Sequence, residues 1–139
     1  MTAWLLDTGP LVAFFDRSDA CHDWARTQWA QAPVPFLTCE PVLAEATYLL
    51  REHAGLPGDK VLALFERKVI AAPFRLEDHA GPVAHLLEKY NDQEMQLADA
   101  CLVRMSELHR DCRVFTLDKQ DFQVYRRFER QVIPLVAPG

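Results

Sequence analysis

The run Ala3-Trp4-Leu5-Leu6 is apolar at every position and stops at Asp7-Thr8-Gly9-Pro10. A strand with one face in water alternates apolar and polar residues. A run without alternation belongs in a sheet covered on both faces, as parallel strands are. Pro10 sits at an N1-like position, and the apolar residues from Leu11 to Phe15 read as the helix that it starts. A short buried strand feeding a helix is the unit from which α/β sandwiches are built.

The rest of the chain repeats that unit. A helix is predicted over 19–31, ending before the turn Ala32-Pro33-Val34-Pro35, and Phe36-Leu37-Thr38 reads as the next strand. Thr38 is placed to cap a helix over 39–53 that stops at Gly55. A helix over 58–70 and a third strand over 72–76 follow. Helices over 80–90 and 95–110 lead into the β run Val114-Phe115-Thr116-Leu117. A short helical turn over 119–127 precedes a last strand, 132–135, whose Pro134 suggests a sheet edge. The expectation is a single domain over 1–139, a three-layer α/β/α sandwich with a short, mostly parallel central sheet.

Composition narrows the function classes. No apolar run approaches the roughly 20 residues that span a bilayer, and no basic segment leads into an apolar one at the start. A cytoplasmic protein without membrane contact is expected. Cys21, Cys39, Cys101 and Cys112 show no zinc spacing and read as free thiols. The net charge of −5 argues against a broad basic footprint for nucleic acid. It is compatible with acid concentrated in one site.

The acids fall where such a site would form. Asp7 follows the first strand and Asp118 follows the 114–117 strand, so parallel pairing puts both on one rim. Ligands of parallel sheets bind beyond that rim. Glu45 projects within about 60° of both Val42 and Leu49 on its helix, which marks it as an acid inside an apolar stripe. Asp99 shares a helix side with Leu102 and Val103, in the first turn of a helix that must begin at the same rim. Four acids brought together repel one another, and a hard divalent cation relieves that cost. Each also has a plainer reading. Asp7 could be a helix cap, Asp118 a turn acid and Asp99 a dipole partner; Glu45 is the hardest to dismiss. Arg104, five positions beyond Asp99, and Lys119, beside Asp118, are the cations placed to reach a phosphate. The five histidines are scattered, and Trp24 and Trp29 read as core or interface residues.

Several short motifs together resemble the PIN-domain ribonucleases, most closely VapC-type toxins of toxin–antitoxin pairs. They are Leu5-Leu6-Asp7-Thr8-Gly9-Pro10-Leu11, Pro41-Val42-Leu43-Ala44-Glu45-Ala46, Leu97-Ala98-Asp99-Ala100, and Val114 through Phe122. The resemblance covers nearly the whole chain. It implies a Mg²⁺- or Mn²⁺-dependent endoribonuclease acting on RNA, with metal-binding acids at Asp7, Glu45, Asp99 and Asp118. It also implies a hydroxyl near the metal at Thr116 and a supporting Asp121 acting through water. Gln96 stands where relatives often carry Asp, a change expected to tune the site. A homodimer and a cognate antitoxin are the implied partners.

Rival chemistries fit less well. An aspartic protease needs two Asp sharing a proton in a β-rich body, whereas Pro10 and an apolar helical run follow this Asp-Thr-Gly. A haloacid-dehalogenase phosphatase wants a second Asp where Gly9 stands, and a receiver domain wants an acidic pair near Asp7. An RNA-processing PIN nuclease outside a toxin pair and a catalytically silent PIN binding module remain the alternatives.

Overall fold

The structure, a computed structural model, describes residues 2–139. The chain runs β1 (Ala3–Leu6), α1 (Thr8–Phe15), α2 (His22–Gln31), β2 (Phe36–Leu37), α3 (Glu40–Ala54), α4 (Asp59–Glu66) and β3 (Ile70–Ala71). It continues through α5 (Ala80–Lys89), α6 (Leu97–Leu108), β4 (Cys112–Phe115), α7 (Lys119–Val124), β5 (Arg126–Arg127), β6 (Gln131–Val132) and β7 (Leu135–Val136).

The central sheet has the order β3-β2-β1-β4-β7, and every pairing in it is parallel. Its middle strand is β1, in register with β4 from Ala3–Cys112 to Leu6–Phe115 and with β2 at Leu5–Leu37. That central place explains the unalternated sequence: Leu5 and Leu6 point to opposite faces and both are fully buried. On one face Trp4, Phe36 and Phe115 meet Trp24 and Trp29 of α2, with ring centroids 4.5–6.4 Å apart. The two tryptophans are therefore partly buried residues packed against the core. Elsewhere α1 packs on α2 and α3, and α6 packs on α5, β1 and β4. Helices cover the sheet in a three-layer α/β/α arrangement. No described helix is long and apolar enough to cross a membrane.

Several local expectations shift. Pro10 is the third residue of α1, not the first. Thr38 does not cap α3; Cys39 occupies the cap, and the Thr38 hydroxyl instead donates to the carbonyl of Leu6 at 2.9 Å, tying β2 to β1. Gly55 does end α3, at φ 62°, a left-handed conformation that favours glycine. The third strand is Ile70–Ala71, so the helix expected over 58–70 ends early at Glu66 and residues 72–76 leave the sheet. The last expected strand divides around Pro134. Gln131–Val132 pairs antiparallel with Arg126–Arg127, a hairpin without a sequence signal, while Leu135–Val136 forms the sheet edge beside β4. Proline lacks the N–H that would carry one ladder through.

All five sheet strands end on the same rim, and α1, α3 and α7 begin there. Because α6 runs back against the strand that it feeds, its first turn arrives at that rim too.

Candidate active site

Each acid reaches the rim by a local rule. Asp7 is the N-cap of α1: its Oδ1 accepts from the Thr8 N–H at 2.7 Å. The capping role and the site role thus fall on one residue. Its other oxygen, Oδ2, accepts from the Thr116 hydroxyl at 2.6 Å, and its own N–H donates to the Phe115 carbonyl at 3.0 Å. Asp118 is the N-cap of α7, with Oδ1 accepting from the Asp121 N–H at 3.2 Å. The Thr116 hydroxyl receives the Asp118 N–H at 2.9 Å, so one buried hydroxyl links the two acid-bearing loops. Asp99 is the third residue of α6, in a reciprocal capping box with Gln96.

These segments enclose a cleft of about 570 Å³ lined by Asp7, Thr8, Gly9, Glu45, Leu49, Gln93, Glu94, Gln96, Asp99, Leu117, Asp118 and Asp121. Six of these residues are acids and none is Lys, Arg or His. Gly9 is needed for the approach: a Cβ there would stand 2.8 Å from Leu117 Cγ, the residue before Asp118.

The electrostatics divide the acids. Asp7 is 7% exposed, and its carboxyl is pushed up to about 7. Burial is the main cause; the Thr116 and Thr8 hydrogen bonds oppose it, and the charges of Asp99 and Glu45 add to it. Half-buried Asp99 is pushed up to about 6, again chiefly by burial, with Asp118 and Asp121 adding to it. Asp121 is raised by burial and by Asp118 beside it.

A PIN-domain model matches residues 4–127. The chain belongs to the PIN-domain family. This PIN domain is 28% identical over 127 residues to Ribonuclease VapC26 of Mycobacterium tuberculosis, a match spanning 88% of this chain and 91% of that protein. Its fold superposes on VapC20 of the same organism, described as a Sarcin-Ricin loop cleaving toxin. The TM-score is 0.77 at 20% identity, over 95% of this chain and 100% of that one. A toxin–antitoxin complex from Klebsiella pneumoniae gives a TM-score of 0.62 at 18% identity, over 87% and 90% of the two chains. These last two likenesses speak to the fold.

Within the PIN domain the four expected acids line one cleft, but Glu45 does not sit as its helix phase suggested. It is exposed. The buried stripe of α3 is Val42, Leu43, Ala46 and Leu50, and Glu45 stands roughly 115° from its centre. It flanks the stripe and opens into the cleft. Arg104 is turned away from the cleft: Nη1 pairs with Glu107 at 2.9 Å and Nε donates to His79 at 3.2 Å. Five positions along a helix is a rotation of about 140° from Asp99. Lys119 is exposed at the start of α7, next to Asp118.

The donor set suits a hard cation: carboxylate oxygens, one of which already bonds a hydroxyl. Burial is the main cause of the raised Asp7 and Asp99, and the mutual charge that adds to it is a cost that such an ion removes. The buried Thr8 Oγ1 beside Asp7 has no hydrogen-bond partner among the described residues. As the side chains stand, however, no group of three or more His, Cys, Asp or Glu among the described residues is arranged to hold an ion. The chain's own donors bond both oxygens of Asp7 and one oxygen each of Asp99 and Asp118.

Two contributors have no signal in the sequence. Glu94 lines the cleft from a left-handed position (φ 54°) just before α6. Tyr125 donates to Asp99 Oδ2 at 3.2 Å from 26 residues away. Its phenol is held above the ordinary tyrosine range, first by burial and then by the Asp99 charge, so it remains a donor.

Proposed function

We propose that this PIN domain is a divalent-metal-dependent endoribonuclease and the toxin of a toxin–antitoxin pair. The observation that carries the reading is the cleft of six acids and no cation at the ends of the parallel strands. The relatives' descriptions as a ribonuclease, a toxin that cleaves the Sarcin-Ricin loop and a toxin–antitoxin complex support it. RNA, a cognate antitoxin and a second copy of the chain are its partners in this reading.

Asp7, Glu45, Asp99 and Asp118 would hold Mg²⁺ or Mn²⁺. When bound, such an ion supplies an acidified water and positive charge against a phosphodiester. The chain's own residues hold the frame. Thr116 locks Asp7 against the Asp118 loop, and the Gln96 N–H and the Tyr125 hydroxyl fix Asp99. Asp121 supports the exposed side through water. Lys119, exposed beside Asp118, is placed to receive an RNA phosphate.

A catalytically silent PIN module has one observation on its side, that the acids do not stand ready around an ion. Incubating the purified chain with an RNA pool separates the two. Cleavage is expected with Mg²⁺ or Mn²⁺, none with EDTA, and about a hundredfold less or lower still in Asp7→Asn. Equal cleavage in all arms refutes metal dependence, and no cleavage in any arm favours the binding module. Expression of the chain alone is expected to arrest growth, with relief by Asp99→Asn. Normal growth with intact protein removes the toxin role and leaves an RNA-processing nuclease.

A further inference from the structure

Tyr125 lies outside the acid motifs and is fully buried, yet its hydroxyl reaches the half-buried Asp99. A buried phenol needs a partner, and this one takes a carboxylate of the cleft in preference to a backbone carbonyl. The ring has little freedom to do otherwise. It meets Phe122 edge-on at 5.2 Å and Tyr90 at 5.1 Å, and the Tyr90 hydroxyl is itself pinned by the Arg126 N–H at 2.9 Å. The Tyr125 N–H closes α7 on the Asp121 carbonyl at 3.1 Å.

Two consequences follow from this placement. The hydrogen bonds that Asp99 accepts, from Tyr125 and from the Gln96 N–H at 3.5 Å, both go to Oδ2. Its Oδ1 is left to the cleft. The phenol also joins α6, which carries Asp99, to the end of α7, whose start carries Asp118 and Asp121. Thr116 does the equivalent on the other side, between Asp7 and the Asp118 N–H. The cleft therefore has two hydroxyl struts, one of which lies in no motif.

We propose that Tyr125 is a positioning residue of this site, holding Asp99 by Oδ2 so that Oδ1 faces the cleft at a fixed distance from the α7 acids. This rests on the metal-nuclease reading above. Partners that orient ligating side chains typically change metal affinity or activity by about 10–100-fold when removed.

The test compares the wild-type chain with Tyr125→Phe and Tyr90→Phe. Each substitution keeps a ring and removes one hydroxyl; only the first touches Asp99. Mn²⁺ affinity is read by electron paramagnetic resonance of the free ion, and kcat and KM for RNA at a fixed, subsaturating Mn²⁺ concentration. Tyr125→Phe is expected to bind Mn²⁺ about tenfold more weakly and to lose kcat accordingly. Its KM for RNA should stay within about twofold, with kcat restored by excess Mn²⁺. Tyr90→Phe is expected to match wild type in Mn²⁺ affinity. An unchanged Mn²⁺ affinity in Tyr125→Phe, or an equal loss in Tyr90→Phe, overturns the proposal while the nuclease reading stands. A wild-type chain that neither binds Mn²⁺ nor cuts RNA overturns the nuclease reading, and the proposal with it. Urea unfolding in EDTA gives a metal-free check through a double-mutant cycle with Asp99→Ala, which removes the acceptor. Non-additive losses are expected, and strict additivity removes the strut.

Discussion

Asp7 and Glu45 line the same cleft under opposite conditions. Asp7 is closed off at the end of the central strand, accepts two hydrogen bonds, and is pushed up to about 7 by burial. Glu45 is exposed, about one and a half turns into α3, and accepts no hydrogen bond among the described residues. Asp99 resembles Asp7 in being raised by burial, and Asp118 resembles Glu45 in being exposed. The contrast shows what each kind of acid contributes. The inner pair is buried and hydrogen-bonded at a cost in stability, and the outer pair is solvated, with Asp118 tied to the start of α7 and Glu45 accepting no bond among the described residues.

The largest effect is expected at the inner acid. Asp7→Asn should lower RNA cleavage by about a hundredfold or more while stabilising the metal-free protein at alkaline pH. The sign follows from the shift. The folded protein holds Asp7 at about 7 against an ordinary 3.8, so folding favours the protonated form. The contribution is fully present below about 4 and is lost as pH rises through about 7, a cost on the order of 4 kcal/mol at pH 8. Thermal melts in EDTA should show the wild type losing stability between pH 5 and pH 8, with a flatter profile for Asp7→Asn. A wild-type profile as flat as the variant's would remove the distinction between inner and outer acids. Mg²⁺ or Mn²⁺ at pH 8 should raise the wild-type Tm and leave that of Asp7→Asn unmoved.

Glu45→Gln tests the outer acid. Cleavage should fall by roughly 10–100-fold, whereas the metal-free urea midpoint should move by no more than the equivalent of about 0.5 kcal/mol, as for other exposed positions. A large stability change would mean that Glu45 is structurally committed after all. Gly9→Ala probes the contact that brings the two acid-bearing loops together. The added methyl meets Leu117 and should destabilise by about 1–3 kcal/mol with a parallel loss of activity. Leu117→Ala in the same chain should recover part of the activity, as read by single-turnover cleavage. The smallest effect is expected for Lys119→Ala: a few-fold rise in KM for RNA, unchanged kcat, and a shallower salt dependence by about one unit of slope.

Much of the frame was legible residue by residue. The all-apolar Ala3–Leu6 run reads as a buried parallel strand, and Asp7, Asp118 and Asp99 read as acids at two strand ends and in a helix's first turn, which is where they stand. Gly55 announced the end of α3. These signals lie within a few positions of the residues that they govern, because caps, turns and periodicity are interactions between chain neighbours. Two other features answer to tertiary structure. Helix phase put Glu45 among apolar residues, but its exposure depends on where α3 meets the rest of the cleft. Proximity to Asp99 along the chain made Arg104 a phosphate contact, but the helix rotates it toward Glu107 and His79.

Residue types and their spacing thus established the α/β/α plan and the acids that it carries to one rim, because strand burial and helix capping are local chemistry. Folding in three dimensions established which acids are buried, which hydroxyls hold them and which cations are absent from the cleft. The bond from Thr116 to Asp7 spans 109 positions and the bond from Tyr125 to Asp99 spans 26. Such contacts exist only once parallel pairing has set β1 beside β4, and no pattern within a single segment encodes them.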